Sequence, residues 1–285
     1  MPLLNKLTTA KRMMTTEGLA ATLRFTRGWV GRRFRHAMLG SSTWRKYDLM
    51  NELAHIHGYR SVLEISTAHS GYSYDQRDQS RFKLCRRLSY LTPDDWTDGG
   101  PVDYRSSDHD TSECLRQIQA QGLRFDIVFV DACHEYECSR RDIQDALGLV
   151  SDDGIVVLHD CLPENQANCP PFRGNLDSWW LGVTYKAYLD VLMGRNDLWH
   201  CTVDTDTGCG MIRLNKKTRH YKRAIDGDEA LIRAWRSVGG DYDGAFQIYK
   251  PNRDTLMNVV TVNRFLTAER KAGQNLHRTD SLVFK

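Results

Sequence analysis

Two short apolar runs, each closed by a carboxylate, decide the architecture: Phe125-Asp-Ile-Val-Phe-Val-Asp131-Ala-Cys-His134 and Gly154-Ile-Val-Val-Leu-His159-Asp160. Both are rich in Val and Ile and bounded by Gly or Asp, the pattern of strands covered on both faces. Ser61-Val-Leu-Glu64-Ile upstream reads the same way. Between the first two runs, Cys138, Ile143, Ala146, Leu147 and Val150 recur at near-helical spacing among charged residues, so the segment reads strand, crossover helix, strand. In open α/β sheets ligands lie outside the carboxyl ends of the strands, where Asp131, His134, His159 and Asp160 all fall. A site is therefore expected at those tips.

At 285 residues, 41% hydrophobic and 26% charged, the chain suits one domain of ordinary size with extensions. No apolar run nears the ~20 residues that cross a bilayer. The start lacks an uninterrupted apolar core with a small-residue cleavage site, so a cytoplasmic protein is expected. The eight cysteines lack the spacing of a disulfide framework and read as reduced thiols. They include no CxxC pair, so structural zinc held by Cys133, His134, Cys138, His159 and Cys161 is not expected.

The net charge of +3 conceals an asymmetry. Residues 1–45 carry nine Lys and Arg against Glu17 alone, a charge of +8, which leaves −5 for the remainder. Leu23, Phe25, Trp29, Val30 and Phe34 sit among these arginines. The favoured reading is a helix packing its aromatic stripe on the main domain or on a second subunit. Contact with an anionic membrane surface or nucleic acid, and an organellar transit peptide, compete with it.

A turn cluster at Gly40-Ser-Ser-Thr43 precedes an expected helix over residues 44–57, and a strand over 61–65 follows. Residues 66–100 are less regular, with a turn at Gly71 and a basic stretch over 82–88 that reads as helical. A short strand over 102–105 and a helix over 112–120 lead to the Asp131 strand. After Asp160, the polar, aperiodic residues 161–177 suit a lid or substrate loop. A helix is expected over 179–193, then two strands, 199–203 and 208–214, joined by Asp204-Thr-Asp-Thr207 as an antiparallel hairpin. The organisation expected is a basic helical extension (1–45), an α/β domain (46–215) and a helical or irregular C-terminal extension (216–285). The fold class is α/β, a Rossmann-like, mostly parallel sheet with a terminal antiparallel hairpin and helices on both faces.

Parallel strands ending in such a hairpin resemble the class I S-adenosylmethionine-dependent methyltransferases. Ser61-Val-Leu-Glu64-Ile-Ser-Thr67-Ala-His-Ser-Gly71-Tyr-Ser73 resembles the first motif of the catechol and caffeoyl-type O-methyltransferases, an E-I-G-T stretch followed by a T-G-Y-S turn. Phe129-Val-Asp131-Ala-Cys-His134-Glu-Tyr136, then Arg141-Asp142, then Leu158-His159-Asp160, is similar to the methyltransferases that act on sugars and small hydroxylated products. The resemblance implies S-adenosylmethionine as cofactor, bound by Glu64, Ser66, Thr67, Gly71, Tyr72, Ser73 and Asp131. It also implies Mg²⁺ or Mn²⁺ on Asp131 and Asp160. The chain departs from the family where the glycine-rich turn shrinks to Gly71. The acidic partner of the ribose is unassigned, with Asp94 and Asp95 candidates by distance alone.

Methylating a hydroxyl requires its proton to leave, and a carboxylate-bound divalent cation or an imidazole can assist. Asp131 and Asp160 are hard oxygen ligands on neighbouring strand tips. His134, three residues past Asp131, is the candidate general base, with His159 in reserve. Competing readings make Asp131 a helix N-cap and His159 a core histidine, because strand alternation lets only one of His159 and Asp160 face a ligand. Trp179, Trp180 and Tyr185 could stack on an acceptor or pack in the core.

The expected activity is metal-assisted O-methyl transfer to a small hydroxylated acceptor, a sugar among the candidates. The alternative is a degenerate methyltransferase fold that binds a partner or anionic polymer through the basic leader. Nucleic-acid methylation is disfavoured because no N-P-P-Y box follows the Asp131 strand, and a dehydrogenase because no G-x-G-x-x-G follows the first strand. A homo-oligomer is compatible with the helical leader.

Overall fold

The computed structural model describes residues 44–67, 81–92, 102–172, 180–193, 195–214 and 228–280. All but two residues of the expected basic leader, together with Gly71, Tyr72, Ser73, Asp94, Asp95 and Trp179, lie outside the described residues. In chain order the elements are α1 (Lys46–His57), β1 (Ser61–Thr67), β2 (Leu84–Tyr90), β3 (Tyr104–Arg105), α2 (Ser112–Ala120), β4 (Phe125–Asp131), α3 (Tyr136–Leu149), β5 (Val150–Leu158), α4 (Thr184–Leu192), β6 (Leu198–Val203), β7 (Cys209–Leu214), α5 (Glu229–Ser237), α6 (Tyr242–Leu256), β8 (Val259–Val260) and α7 (Val262–Asp280).

The strands form one sheet in the order β3-β2-β1-β4-β5-β7-β6-β8. The first five run parallel, and β7 is antiparallel to both β5 and β6, the mostly parallel α/β sheet with a terminal hairpin expected from the sequence. The order reverses between β1 and β4, whose paired residues end at Ser66 and Asp131. That reversal opens a crevice beyond the carboxyl ends of both strands.

Each central strand is apolar on both sides because helices cover both. Leu63, Ile65, Val128, Val130, Val156 and Leu158 join α3, α4 and α6 in one core. Val62, Ile127, Phe129, Ile155 and Val157 meet Leu49, Met50 and Leu53 of α1 and Phe265 and Leu266 of α7 in the other. β5 begins four residues before the expected Gly154, and its register against β4 shifts between Phe125 and Ile127. A Cβ at Gly154 would lie 2.6 Å from the Asp126 carbonyl oxygen, so the bulge demands glycine there.

The basic stretch over 82–88 is not a helix: it carries most of β2. Its arginines are neutralised sideways, Arg86 by Asp103 at 3.3 Å and the fully buried Arg87 by Glu64 at 3.5 Å on the neighbouring β1. The helix expected from residue 179 starts at Thr184, after Gly182 breaks the backbone at φ 57. No described helix is long and apolar enough to cross a membrane. All eight cysteines are free.

Candidate active site

Two connections deliver side chains to the tips of β4 and β5. α1 leads directly into β1 across the sheet's second core, so its first residue, Lys46, stands at the carboxyl end of the strands. β7 runs against β5, so the turn between β6 and β7 reaches the same end and brings Asp206 and Thr207. Asp206, Thr207 and Gly208 all have positive φ (48°, 68° and 92°), which folds this turn tightly over the tips.

Asp131 closes β4. Its Oδ2 accepts from Lys46 Nζ at 2.5 Å, and its Oδ1 lies 3.4 Å from His159 Nδ1 and 3.9 Å from His134 Nε2. His159 Nδ1 is 3.2 Å from Asp160 Oδ1, and its Nε2 is 3.5 Å from Asp206 Oδ2. Strand alternation would have sent His159 and Asp160 to opposite faces. β5 ends at Leu158, and Asp160 takes φ 59, which turns both side chains into the cluster. A left-handed non-glycine residue costs about 1 kcal/mol or more and is kept where its surroundings fix it. Here Thr207 Oγ1 donates to the Asp160 carboxylate.

His134 reaches the same place from the β4–α3 loop. Its Nε2 is 3.3 Å from Asp160 Oδ2, and its Nδ1 is 3.1 Å from the Trp180 carbonyl oxygen. A carbonyl only accepts, so Nδ1 carries a hydrogen, and Nε2 is the atom turned to Asp131 and Asp160. The Trp180 ring lies 5.3 Å from the imidazole, and Val183 N–H donates to the His134 carbonyl at 2.9 Å. A Cβ on Gly182 would overlap that carbonyl, so glycine lets the 180–183 segment close on His134.

The charges interlock. Burial alone would raise Asp131 and Asp160, but Lys46 and His159 hold Asp131 well below the usual carboxylate range, and His159 with His134 depresses Asp160. Asp206 is depressed as well, by His159 and Lys46 against its burial. Burial would lower both histidines and Lys46. The carboxylates instead carry His134 and His159 above the ordinary imidazole value and Lys46 well above the ordinary lysine value. The cluster thus sets three carboxylates against the Lys46 ammonium and two imidazoles whose protonated forms those carboxylates favour.

The oxygens of Asp131 and Asp160 and a nitrogen of His134 lie within 4.8 Å of one another, close enough to share one ion. Two carboxylates and an imidazole suit a hard or borderline divalent cation. Lys46, Trp180, Asp206 and Thr207 were not singled out as site-forming in the sequence, except Trp180 as a stacking candidate. For Lys46 the signal was available: a helix that leads into the first strand across its face starts at the ligand end.

The structure places the cofactor-side candidates unevenly. Glu64 and Ser66 are fully buried on one side of β1, where Arg87 Nε lies 3.5 Å from Glu64 and donates to Ser66 Oγ at 3.0 Å. Thr67, half-buried, ends β1 at the crevice.

Residues 7–161, more than half of the chain, match a family described as a methyltransferase domain, and the chain belongs to that family. Among solved structures, the O-methyltransferase from Bacillus cereus in complex with SAH is 14% identical, with 73% of this chain and 97% of that one covered and a TM-score of 0.43. TomG from Streptomyces achromogenes, an O-methyltransferase in complex with SAM, is 17% identical over 63% of this chain and 85% of that one, at a TM-score of 0.44. The MycE methyltransferase of mycinamycin biosynthesis, in complex with Mg and SAH, is 19% identical over 64% of this chain and 53% of that one, at 0.40. No curated protein matches the chain.

Proposed function

We propose that this chain is an S-adenosylmethionine-dependent O-methyltransferase acting on a small hydroxylated acceptor, sugars among them. The observation that carries the reading is the convergence of Asp131, His134 and Asp160 at the tips of β4 and β5, beside the β1/β4 reversal. The donor set fits Mg²⁺ or Mn²⁺ on Asp131 and Asp160, and the cofactor would lie at the β1/β4 reversal, where Ser66 and Asp131 are register partners on neighbouring strands. When bound, the cofactor supplies a sulfonium methyl and the cation lowers the pKa of a hydroxyl it touches.

The chain's own residues supply the rest. In its neutral form His134 accepts the hydroxyl proton at Nε2, with Nδ1–H held by the Trp180 carbonyl so that the ring presents that nitrogen and leaves Asp131 and Asp160 as the ion's ligands. Asp131 and Asp160 stabilise the imidazolium that forms. His159 is a positioning residue, tying Asp131, Asp160 and Asp206 into one frame. Lys46 keeps the Asp131 carboxylate ionised. Trp180 lies against the His134 ring, and the β6–β7 turn folds over the strand tips.

Thermal melting of the purified protein tests the reading, with S-adenosylmethionine or S-adenosylhomocysteine at millimolar concentration, each with and without Mg²⁺ or Mn²⁺. A ligand at a hundredfold excess over Kd stabilises by about 2.7 kcal/mol, which melting resolves. The expected result is a rise with cofactor that grows with metal; no rise with either cofactor overturns the proposal.

A further inference from the structure

One residue before His134, the same loop directs a thiol into a second cluster. One nitrogen of His109 and the sulfurs of Cys133 and Cys138 lie within 4.8 Å of one another, with Cys138 Sγ 3.2 Å from His109 Nδ1. Zinc bonds of about 2.3 Å to sulfur and 2.0–2.1 Å to nitrogen set ligand separations of roughly 3.5–3.8 Å in a tetrahedron. The 3.2 Å separation lies just inside that spacing and the 4.8 Å limit on the others about 1 Å outside it, so rotation of the side chains suffices to close the three donors on one ion.

The frame behind them is fixed. Cys133 N–H donates to the Tyr90 hydroxyl at 2.9 Å, and the Ser139 hydroxyl donates to the Cys133 carbonyl at 2.9 Å. Arg141 donates to the His109 carbonyl. Cys138 lies in the first turn of α3, buried, while His109 is exposed and Cys133 half-buried, which leaves the cluster one open side. The grouping by sequence set Cys133 and Cys138 beside His134. The fold sends His134 to Asp160 and brings His109 from the stretch before α2 instead.

We propose that His109, Cys133 and Cys138 form a three-ligand site for Zn²⁺, with water in the fourth position. Binding forms two Zn–S bonds and one Zn–N bond, and the thiol protons leave to solvent. An ion there fixes the loop that carries His134. The inference stands apart from the proposed methyl transfer, because its ligands are a different set.

Cobalt titration of the reduced, metal-free full-length chain provides the test. Wild type is expected to develop thiolate-to-cobalt charge-transfer absorption saturating at one equivalent and bleached by Zn²⁺, which binds more tightly in the divalent series. C133S and C138S abolish the band. H109A, at an exposed position that leaves the core intact, weakens zinc by more than the ~100-fold upper end that loss of a mere supporting contact costs. D160N keeps the band. Absence of the band in wild type, its persistence in both cysteine variants, or its loss in D160N would each overturn the site.

Discussion

Replacing Lys46 by Met keeps the apolar stem and deletes the ammonium that sits 2.5 Å from Asp131 Oδ2. Both side chains are 11% exposed, so solvent screens the pair little. Removing one partner of a buried pair costs about 3–5 kcal/mol. Asp131 retains His159 at 3.4 Å, so the lower end, ~3 kcal/mol, is expected. With a urea m-value of about 3 kcal/mol/M, that moves the unfolding midpoint down by ~1 M. A cycle with D131N isolates the pair and should give a coupling energy of ~2 kcal/mol. The acid limb should change as well. Asp131 is depressed below its unfolded value, so its contribution is present above pH ~4 and lost as pH falls through the folded value. In K46M the depression shrinks, and the fall in stability below pH ~4 becomes shallower. A coupling energy under ~0.5 kcal/mol, the scatter of independent sites, would refute the claim that Lys46 neutralises Asp131.

Three further outcomes follow from the same structure. G182A should lower the melting temperature by several degrees, at about 2–4 °C per kcal/mol for a chain of this size, because its Cβ overlaps the His134 carbonyl in a left-handed backbone; an unchanged melt would mean the 180–183 segment is not closed on His134. Glu269 Oε2 meets both Arg213 and His57 at 2.6 Å in a buried network, so E269A should cost ~3–5 kcal/mol in urea unfolding, and a loss below ~1 kcal/mol would contradict that packing. His134 and His159 are raised above 6.5, so their contribution is whole below that pH and is lost as pH rises through their folded values; urea midpoints should fall on the alkaline side of 6.5, less steeply in D160N, and parallel profiles would show that Asp160 is not their partner.

The strands that place the site were legible because β4 and β5 are covered on both faces, and their Val and Ile runs record it. The crossover helix and α2 followed from spacing alone. β2 was not legible, since Arg86 and Arg87 read as helical until Asp103, just before β3, and Glu64 on β1 accept them. The tips named Asp131, His134, His159 and Asp160. Alternation, however, argued against His159 and Asp160 acting together, because a single left-handed residue at Asp160 cannot be read from an Asp. Lys46, Asp206 and Thr207 came from elements distant in sequence, joined only by the antiparallel return of the hairpin and by the direction of α1.

The most direct measurement is calorimetric titration of Mn²⁺ into protein saturated with S-adenosylhomocysteine, in wild type, D131N and D160N. The account predicts saturable binding of the cofactor product in wild type, then one equivalent of Mn²⁺ whose affinity falls at least ~10-fold in each variant. No binding of S-adenosylhomocysteine, or Mn²⁺ affinity equal in all three proteins, would contradict it.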